Sequence, residues 1–191
     1  MERAIRKQLM ESSELKLKVS EVLTERIEET ARTIINSLRK GNKVLFCGNG
    51  GSAADCQHLA GEFVNRFRIN RKPLPGLALT TDSSVLTCIG NDFSFDDIFS
   101  KQIEAFGAKG DVLIGISTSG NSKNVINAIN AAKEKDIFIV GFTGDSGGKM
   151  KELVDILINV PSADTPRIQE AHITIGHIIC DLVEQELFKN E

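Results

Sequence analysis

The sequence lacks Trp and Tyr, and it has no excess of positive charge. Its 191 residues contain 23 Lys and Arg against 26 Asp and Glu, which gives a formal net charge of −3. Stacking of bases on aromatic side chains and attraction to a basic surface are the usual means of binding nucleic acid. A basic surface also attracts proteins to anionic membranes. These absences argue against nucleic acid and membrane surfaces as partners.

Long apolar runs are also missing. None approaches the roughly 20 residues that cross a bilayer, and no basic, apolar and small-residue signal pattern opens the chain. The four cysteines, at positions 47, 56, 88 and 180, have no C-x-x-C spacing, which favours reduced core thiols over a disulfide framework. We therefore expect a cytoplasmic protein without membrane contact.

Glycine and proline are absent from residues 1–40, where apolar residues recur at helical intervals. This pattern predicts one or two long helices that end at Gly41 and Asn42. Two helices are more than a doubly wound sheet needs for its cover. Their apolar face therefore has two interpretations, contact with another subunit or cover for the core of the same chain.

From residue 41 onward, short apolar runs alternate with helical patterns. The runs predict five strands, at 44–47, 77–80, 112–116, 137–142 and 156–160. The helical patterns begin at 53 and cover 83–89, 95–106, 123–133 and 166–188. With no hairpin signals, this order predicts an α/β fold with a five-stranded parallel doubly wound sheet. No repeat or linker divides the chain, so we expect one domain over 1–191, with N-terminal helices at 1–40 and an α/β core at 41–191.

The first predicted strand leads through a glycine-rich turn, residues 48–52, into a helix. Such a turn lets an anion approach the free backbone N–H groups of the helix start. The spacing Gly48-x-Gly50-x-x-Ala53 also matches a relaxed dinucleotide fingerprint, but a basic segment, residues 66–72, stands where the acidic residue should follow. We therefore expect no nucleotide cofactor, and a purely structural turn remains an alternative. The basic segment itself is most simply a solvated loop.

A second loop, residues 117–122, follows the third predicted strand and is rich in hydroxyl groups. It leads directly into a helix, so its hydroxyls and the helix N-terminus suit a phosphate group without a lysine. No G-x-x-x-x-G-K-[ST] sequence is present, which excludes a nucleotide triphosphatase loop. Helix capping alone is the other interpretation.

His58 and Glu62 lie four residues apart on the first helix of the core, so both side chains point from one helical face. An imidazole and a carboxylate close to an anion loop suggest acid–base chemistry or metal binding. A surface ion pair is the other reading of this spacing. His172, on the last predicted helix, is interpreted as a packing residue.

Five ordered motifs together make the chain resemble the phosphoheptose isomerases of the sugar isomerase (SIS) domain family. They are CGNGGS at 47–52, HxxxE at 58–62, GND at 90–92, GISTSGNS at 115–122 and RIQExH at 167–172. The resemblance implies a flavodoxin-like SIS fold and a cytoplasmic homotetramer, with zinc in some members. It also implies conversion of sedoheptulose 7-phosphate to D-glycero-D-manno-heptose 7-phosphate through an enediol, for heptose and lipopolysaccharide precursors.

The resemblance also assigns roles to residues of this sequence. The catalytic pair that it implies is Glu62 and His177. Zinc ligands in metal-containing members would be His58, Glu62, Gln169 and His177. The implied substrate-binding residues are Asn49, Gly50, Gly51, Ser52, Glu62, Asn91, Asp92, Ser117, Thr118, Ser119, Ser122 and Gln169, with the four Ser and Thr residues of 117–122 on the phosphate.

Two other functional classes use the same domain. A relative that binds the bacterial replication initiator lacks the glutamate and the final histidine, whereas this chain keeps Glu62 and His177. A sugar-phosphate sensor needs only the phosphate loops.

Gln169 and His177 are eight residues apart, which is roughly 12 Å along an ideal helix. A compact reacting centre that contains both side chains would need residues from a neighbouring chain, so we expect the site to lie at a subunit boundary.

Overall fold

The computed structural model describes residues 1–189, and its centre is a five-stranded sheet in which all neighbouring strands are parallel. The strands are β1 (Val44–Gly48), β2 (Gly76–Ala78), β3 (Val112–Ile116), β4 (Phe138–Thr143) and β5 (Ile156–Asn159). Their order, β2-β1-β3-β4-β5, is that of a flavodoxin-like doubly wound sheet. The predicted fold class is confirmed. The strand order reverses between β1 and β3, where ligands bind in such sheets.

The helices of the described residues cover both faces of the sheet. They are α1 (Glu2–Val22), α2 (Thr24–Arg39), α3 (Gly51–Val64), α4 (Ser83–Asp92), α5 (Ser100–Phe106), α6 (Lys123–Glu134) and α7 (Thr165–Leu187). Alternate strand residues divide the core: Phe46 and Ile114 pack with α1, α2, α3 and α7, whereas Leu45 and Leu113 pack with α4, α5 and α6. Because both faces are buried, β1 and β3 are apolar along their length, which is why they were visible in the sequence.

The segment before the sheet forms two helices, which meet at Leu23. Leu15, Val19 and Leu23 turn into the core, whereas apolar side chains on the other side of α1 remain exposed in this chain. Gly41 ends the segment with a φ of +81°, the left-handed conformation typical of a residue just past a helix end.

Two predicted helix boundaries were wrong. α4 continues to Asp92, three residues beyond the predicted end. The predicted helix at 95–106 is divided into a 3-10 turn (Phe95–Asp97) and α5. The Ser94 side chain accepts a hydrogen bond from the Asp96 N–H, which fixes the tight turn, and Ile98 and Phe99 then enter the core before α5 begins.

The cysteine prediction holds for three of the four thiols. Cys47, Cys56 and Cys180 are buried and free, whereas Cys88 is free but exposed on α4. Burial raises the pKa of the Cys47 thiol to about 12, so it stays protonated. Across residues 1–189, the helices are too short or too polar to serve as membrane spans.

Candidate active site

The loops after β1 and β3 lie side by side at the point where the strand order reverses. Two reciprocal amide hydrogen bonds join them, each 2.8 Å long, between the side chains of Asn49 and Asn124. Asn124 is buried at the start of α6 and was missed by the sequence analysis, because its partner lies 75 positions away. The pair fixes the glycine turn of residues 48–52 against the hydroxyl-rich loop of residues 117–122.

The hydroxyl groups of the β3–α6 loop lie close together. Ser117 Oγ lies 2.9 Å from Ser122 Oγ and 3.4 Å from Ser119 Oγ, and Thr118 is half-buried beside them. Ser122 occupies the N-cap of α6, yet its side chain makes no capping hydrogen bond. Capping therefore does not account for Ser122, and the cluster retains the donors that a phosphate group requires.

His58, Glu62 and His177 form a compact group between α3 and α7. His58 Nε2 lies 3.1 Å from Glu62 Oε1 and 3.2 Å from His177 Nε2. Ligand-type atoms of the three residues all lie within 4.8 Å of one another. Burial lowers the pKa of His177, the adjacent His58 lowers it further, and Glu62 raises it, so the net shift is downward. His177 is therefore neutral at neutral pH.

The donor chemistry of this group fits a metal ion. His58 Nε2 carries at most one proton, so it cannot donate to both Glu62 and His177. A cation would instead accept lone pairs from all three residues, and two imidazoles with one carboxylate are a common zinc-binding set. Gln169, the remaining predicted ligand, lies on α7 with its amide against the backbone of Gly51. Gln169 therefore lies beside the start of α3.

Asn91 and Asp92 occupy the exposed C-terminal end of α4, where the Asn91 amide donates a 2.8 Å hydrogen bond to Asp92. Within the described part of the chain, neither side chain hydrogen-bonds to another predicted site residue. The structure thus brings together the loops after β1 and β3 with α3 and α7, whereas no hydrogen bond among the described residues connects the 91–92 pair to that network.

Comparison with known proteins identifies the family. A sequence model of the SIS domain matches residues 9–144. The phosphoheptose isomerase of Clostridium acetobutylicum is 54% identical over 190 residues, covering 98% of this chain and 97% of that protein. The chain belongs to the phosphoheptose isomerase family. The enzyme of that name from Aneurinibacillus thermoaerophilus is 58% identical over 171 residues, covering 90% of this chain and 86% of that protein. The solved phosphoheptose isomerase from Neisseria gonorrhoeae has a TM-score of 0.92 at 44% identity, covering 96% of this chain and 98% of its own.

In this phosphoheptose isomerase family member, close packing of α3 against α7 sets the geometry of the His–Glu group. Gly176 precedes His177, and Leu59 follows His58. A Cβ atom at Gly176 would lie 2.6 Å from Leu59 Cδ2 and 2.9 Å from Leu59 Cδ1. A side chain at Gly176 would force Leu59 to repack in the core, so the bare backbone of Gly176 lets α7 pack closely on α3 beside His58 and His177.

We expect Gly176→Ala to push α7 away from α3. Overpacking against Leu59 should lower the free energy of unfolding by about 1–3 kcal/mol, even though alanine has the higher helix propensity. Affinity of the His–Glu group for a metal ion should fall, because His177 moves away from His58. Gly61→Ala is the matched control, since a Cβ there meets nothing within 4 Å. Its helix propensity should raise stability by up to about 1 kcal/mol. Urea denaturation and chelator competition measure both effects. A Gly176→Ala protein with parental stability and parental metal affinity would contradict this account of the helix contact.

His172 has a structural environment, as predicted. Its side chain is 1% exposed, packs on Phe142, and donates from Nε2 to the Thr143 carbonyl oxygen over 3.0 Å. Burial lowers the pKa of His172 to about 4, with the Thr143 hydrogen bond opposing the shift. His172 is therefore a neutral residue that joins α7 to the end of β4.

Stability should consequently depend on pH through His172. Its pKa is lowered from 6.5 to about 4 on folding, so the unfolded chain binds more protons between these values. Neutral His172 therefore makes its full contribution to the free energy of unfolding above pH 6.5. As the pH falls toward 4, this contribution decreases by on the order of 3 kcal/mol. Urea denaturation at neutral pH and at about pH 4 should show that the free energy of unfolding decreases more in the parent than in His172→Gln. Equal losses in both proteins would refute the assignment.

Arg71 contradicts the expectation that the basic segment is a solvated loop. Its side chain is 2% exposed and forms a 2.7 Å ion pair with Glu184 on α7, which is 1% exposed. Burial raises the pKa of Glu184, but hydrogen bonds from the backbone N–H groups of residues 67–69 and from Arg71 lower it more. The carboxylate is therefore ionised at neutral pH. The prediction failed because the partner lies 113 positions away.

Proposed function

We propose that this chain is an aldose–ketose isomerase that converts sedoheptulose 7-phosphate to D-glycero-D-manno-heptose 7-phosphate, for heptose and lipopolysaccharide precursors. The observation that carries the proposal is the meeting of Glu62 and His177 in one group, on helices tied to the two anion loops. Asn49 and Asn124 join those loops, and the Gln169 amide on α7 lies against Gly51. Relatives named phosphoheptose isomerase match nearly the whole chain.

The phosphate is assigned to Ser117, Thr118, Ser119 and Ser122 at the N-terminus of α6. Their hydroxyl groups donate to the phosphate oxygens, and the helix dipole favours the negative charge. The backbone of 49–52 and the side chain of Gln169 then hold the sugar chain, and Asn91 and Asp92 are proposed to reach its hydroxyl groups. This arrangement places the reacting carbons near α3 and α7.

The reaction moves one proton between adjacent carbons. In the ketose-to-aldose direction, Glu62 removes a proton from carbon 1, the enediol forms, and a proton returns to carbon 2. His177, neutral because its pKa is lowered, transfers a proton between the two oxygens. Hydrogen-bond donors around these oxygens stabilise the negative charge that develops.

We propose His58, Glu62, Gln169 and His177 as zinc ligands. His58, Glu62 and His177 already lie together, and Gln169 on α7 would supply a neutral oxygen. Bound zinc would polarise the substrate carbonyl and stabilise the charge of the enediolate. A carboxylate bound to zinc is a weaker base, so the two roles of Glu62 compete.

We further propose that the enzyme is a homotetramer with its site at a subunit boundary. A groove of about 520 Å³ runs between α2 and α7, and it is lined by apolar side chains that include Ile27, Ile35 and Ile178. Leu9 and Leu17 on α1 are 67% and 62% exposed in the single chain. A second copy would cover these surfaces.

Sedimentation equilibrium should therefore find an oligomer, and activity should fall on dilution below its dissociation constant. Specific activity would then track the oligomer fraction, because the site is complete only in the assembly. A monomer with full activity would refute the subunit-boundary proposal while leaving the isomerase assignment intact.

The assay that tests the function incubates purified protein with sedoheptulose 7-phosphate, with and without zinc, and measures the aldose formed. Turnover under either condition supports the proposal. Phosphate binding without turnover under both conditions would overturn it in favour of a sugar-phosphate sensor. Binding to the replication initiator is the outcome that would favour the other non-catalytic class. Neither alternative is favoured, because the relatives carry the name of an enzyme. The cytoplasmic location stays a prediction.

A further inference from the structure

Glu184 on α7 holds the loop that follows α3. Its two carboxylate oxygens accept hydrogen bonds from the backbone N–H groups of Phe67, Arg68 and Ile69, over 2.8, 2.6 and 2.6 Å. Arg71 adds a fourth donor through Nε. The carboxylate thus fixes the path of residues 67–71 across the side of α7.

Arg71 uses its remaining nitrogens on the end of α3. Nη2 donates to the Glu62 carbonyl oxygen over 2.8 Å, and Nη1 donates to the Phe63 carbonyl oxygen over 3.0 Å. Carbonyl groups in the last turn of a helix have no partner within the helix, and a cation there is favoured by the helix dipole. Arg71 therefore caps the turn of α3 that carries Glu62.

The same loop also contacts the second catalytic residue. The Phe67 ring lies 5.4 Å from the His177 ring, centroid to centroid, with the planes tilted by 35°. The backbone N–H of Phe67 is one of those held by Glu184. Glu62 is thus fixed through its carbonyl group and His177 through its ring, both by way of one buried ion pair.

We infer that Arg71 and Glu184 are positioning residues, which set the separation of Glu62 and His177. The inference rests on the proposed function for the roles of those two residues. Stability alone explains the pair poorly, because a buried ion pair loses much of its attraction to desolvation, and apolar replacements of similar volume are often as stable. What such replacements cannot supply is a fork of N–H donors on the Glu62 and Phe63 carbonyl oxygens.

The test compares Glu184→Gln with a matched control, Asp111→Asn. Asp111 is also 1% exposed, pairs with Lys43 over 2.6 Å, and accepts hydrogen bonds from the backbone N–H groups of Lys43 and Ala108. It lies at the opposite end of the sheet, beside the first residue of β3. Both substitutions remove one buried charge from a backbone-binding carboxylate, so both should lower thermal stability.

Only Glu184→Gln should disturb the site. We expect its zinc affinity by chelator competition, and its kcat, each to fall by roughly tenfold or more, as is typical for losing a group that orients metal ligands. KM should change far less, because the phosphate loops are untouched. In the zinc-free protein, the imidazole C–H resonances of His177 should shift or broaden, and the three histidines of the sequence make these signals assignable. Asp111→Asn should leave all of these quantities near the parent values.

A Glu184→Gln protein that matches Asp111→Asn in zinc affinity, kcat and histidine resonances, at a temperature where both are folded, would overturn the inference. If Glu184→Gln does not fold, Arg71→Lys decides: it keeps a cation beside Glu184 but lacks the fork that holds two carbonyl oxygens. Parental values in Arg71→Lys would equally overturn the inference. A parent protein without isomerase activity would sink the proposed function, whereas the histidine resonances would still decide the positioning role.

Discussion

Glu62→Gln should lower kcat for sedoheptulose 7-phosphate by at least about 10²–10⁴-fold, the loss typical of removing a general base. The amide keeps the size of the carboxylate and its ability to accept a hydrogen bond from His58, but it loses the charge and the basicity. The affinity for the substrate should change far less, because the phosphate is assigned to the 117–122 loop. Steady-state kinetics separate the two parameters. Glu104→Gln, an exposed carboxylate on α5, should leave both unchanged.

Measurement of bound metal in the same variant separates the two roles of Glu62. If Glu62 acts mainly as a base, zinc remains bound while kcat falls. If Glu62 acts mainly as a ligand, zinc and activity are lost together, and excess zinc restores part of both. Turnover by Glu62→Gln at the parent rate would contradict both roles and the central assignment of the site.

The sheet was predictable because a strand that is buried on both faces appears in the sequence as a continuous apolar run. Each residue of β1 and β3 is buried, so Val44 to Cys47 and Val112 to Ile116 appear as short apolar runs bounded by polar or glycine residues. Gly41 was correctly predicted to end the N-terminal helices, since its φ of +81° is one that glycine readily adopts. The shorter β2, with only three residues, was placed within a residue or two.

The network that supports the site was not predictable, because each of its contacts joins distant parts of the chain. Asn124 resembles an ordinary polar residue in the first turn of α6, and nothing local indicates its pairing with Asn49. Arg71 resembles any arginine of a basic loop until Glu184 is placed beside it by the fold. Gly176 likewise resembles a weak point in α7, and only the position of Leu59 explains it. Periodicity and composition carry no information on such pairs.

The 117–122 loop depends on a second contact of this kind, with the glycine-rich turn after β4. Gly120, with a φ of +65°, lies against Gly147 and Gly148 after β4. A Cβ atom at Gly120 would overlap the Gly147 carbonyl oxygen and lie 2.8 Å from Gly148 N. Backbone hydrogen bonds from Met150 to Gly120 and from Gly144 to Thr118, 3.1 and 2.9 Å long, hold the turns together.

Gly120→Ala should therefore have the largest effect on stability of any substitution considered for this site. Gly41→Ala is its matched control, because Gly41 also has a positive φ but a Cβ there meets nothing within 4 Å. In the control, backbone strain alone should lower the free energy of unfolding by about 1–2 kcal/mol. In Gly120→Ala the decrease should be about 3–5 kcal/mol, because the new methyl group clashes with backbone atoms that cannot rotate away. The displaced loop should also raise KM by roughly tenfold or more, the equivalent of one lost hydrogen bond to a charged group. Urea denaturation and steady-state kinetics measure the two effects. Equal stability losses in the two variants would show that the turns separate easily, and an unchanged KM would remove the 117–122 loop from the phosphate site.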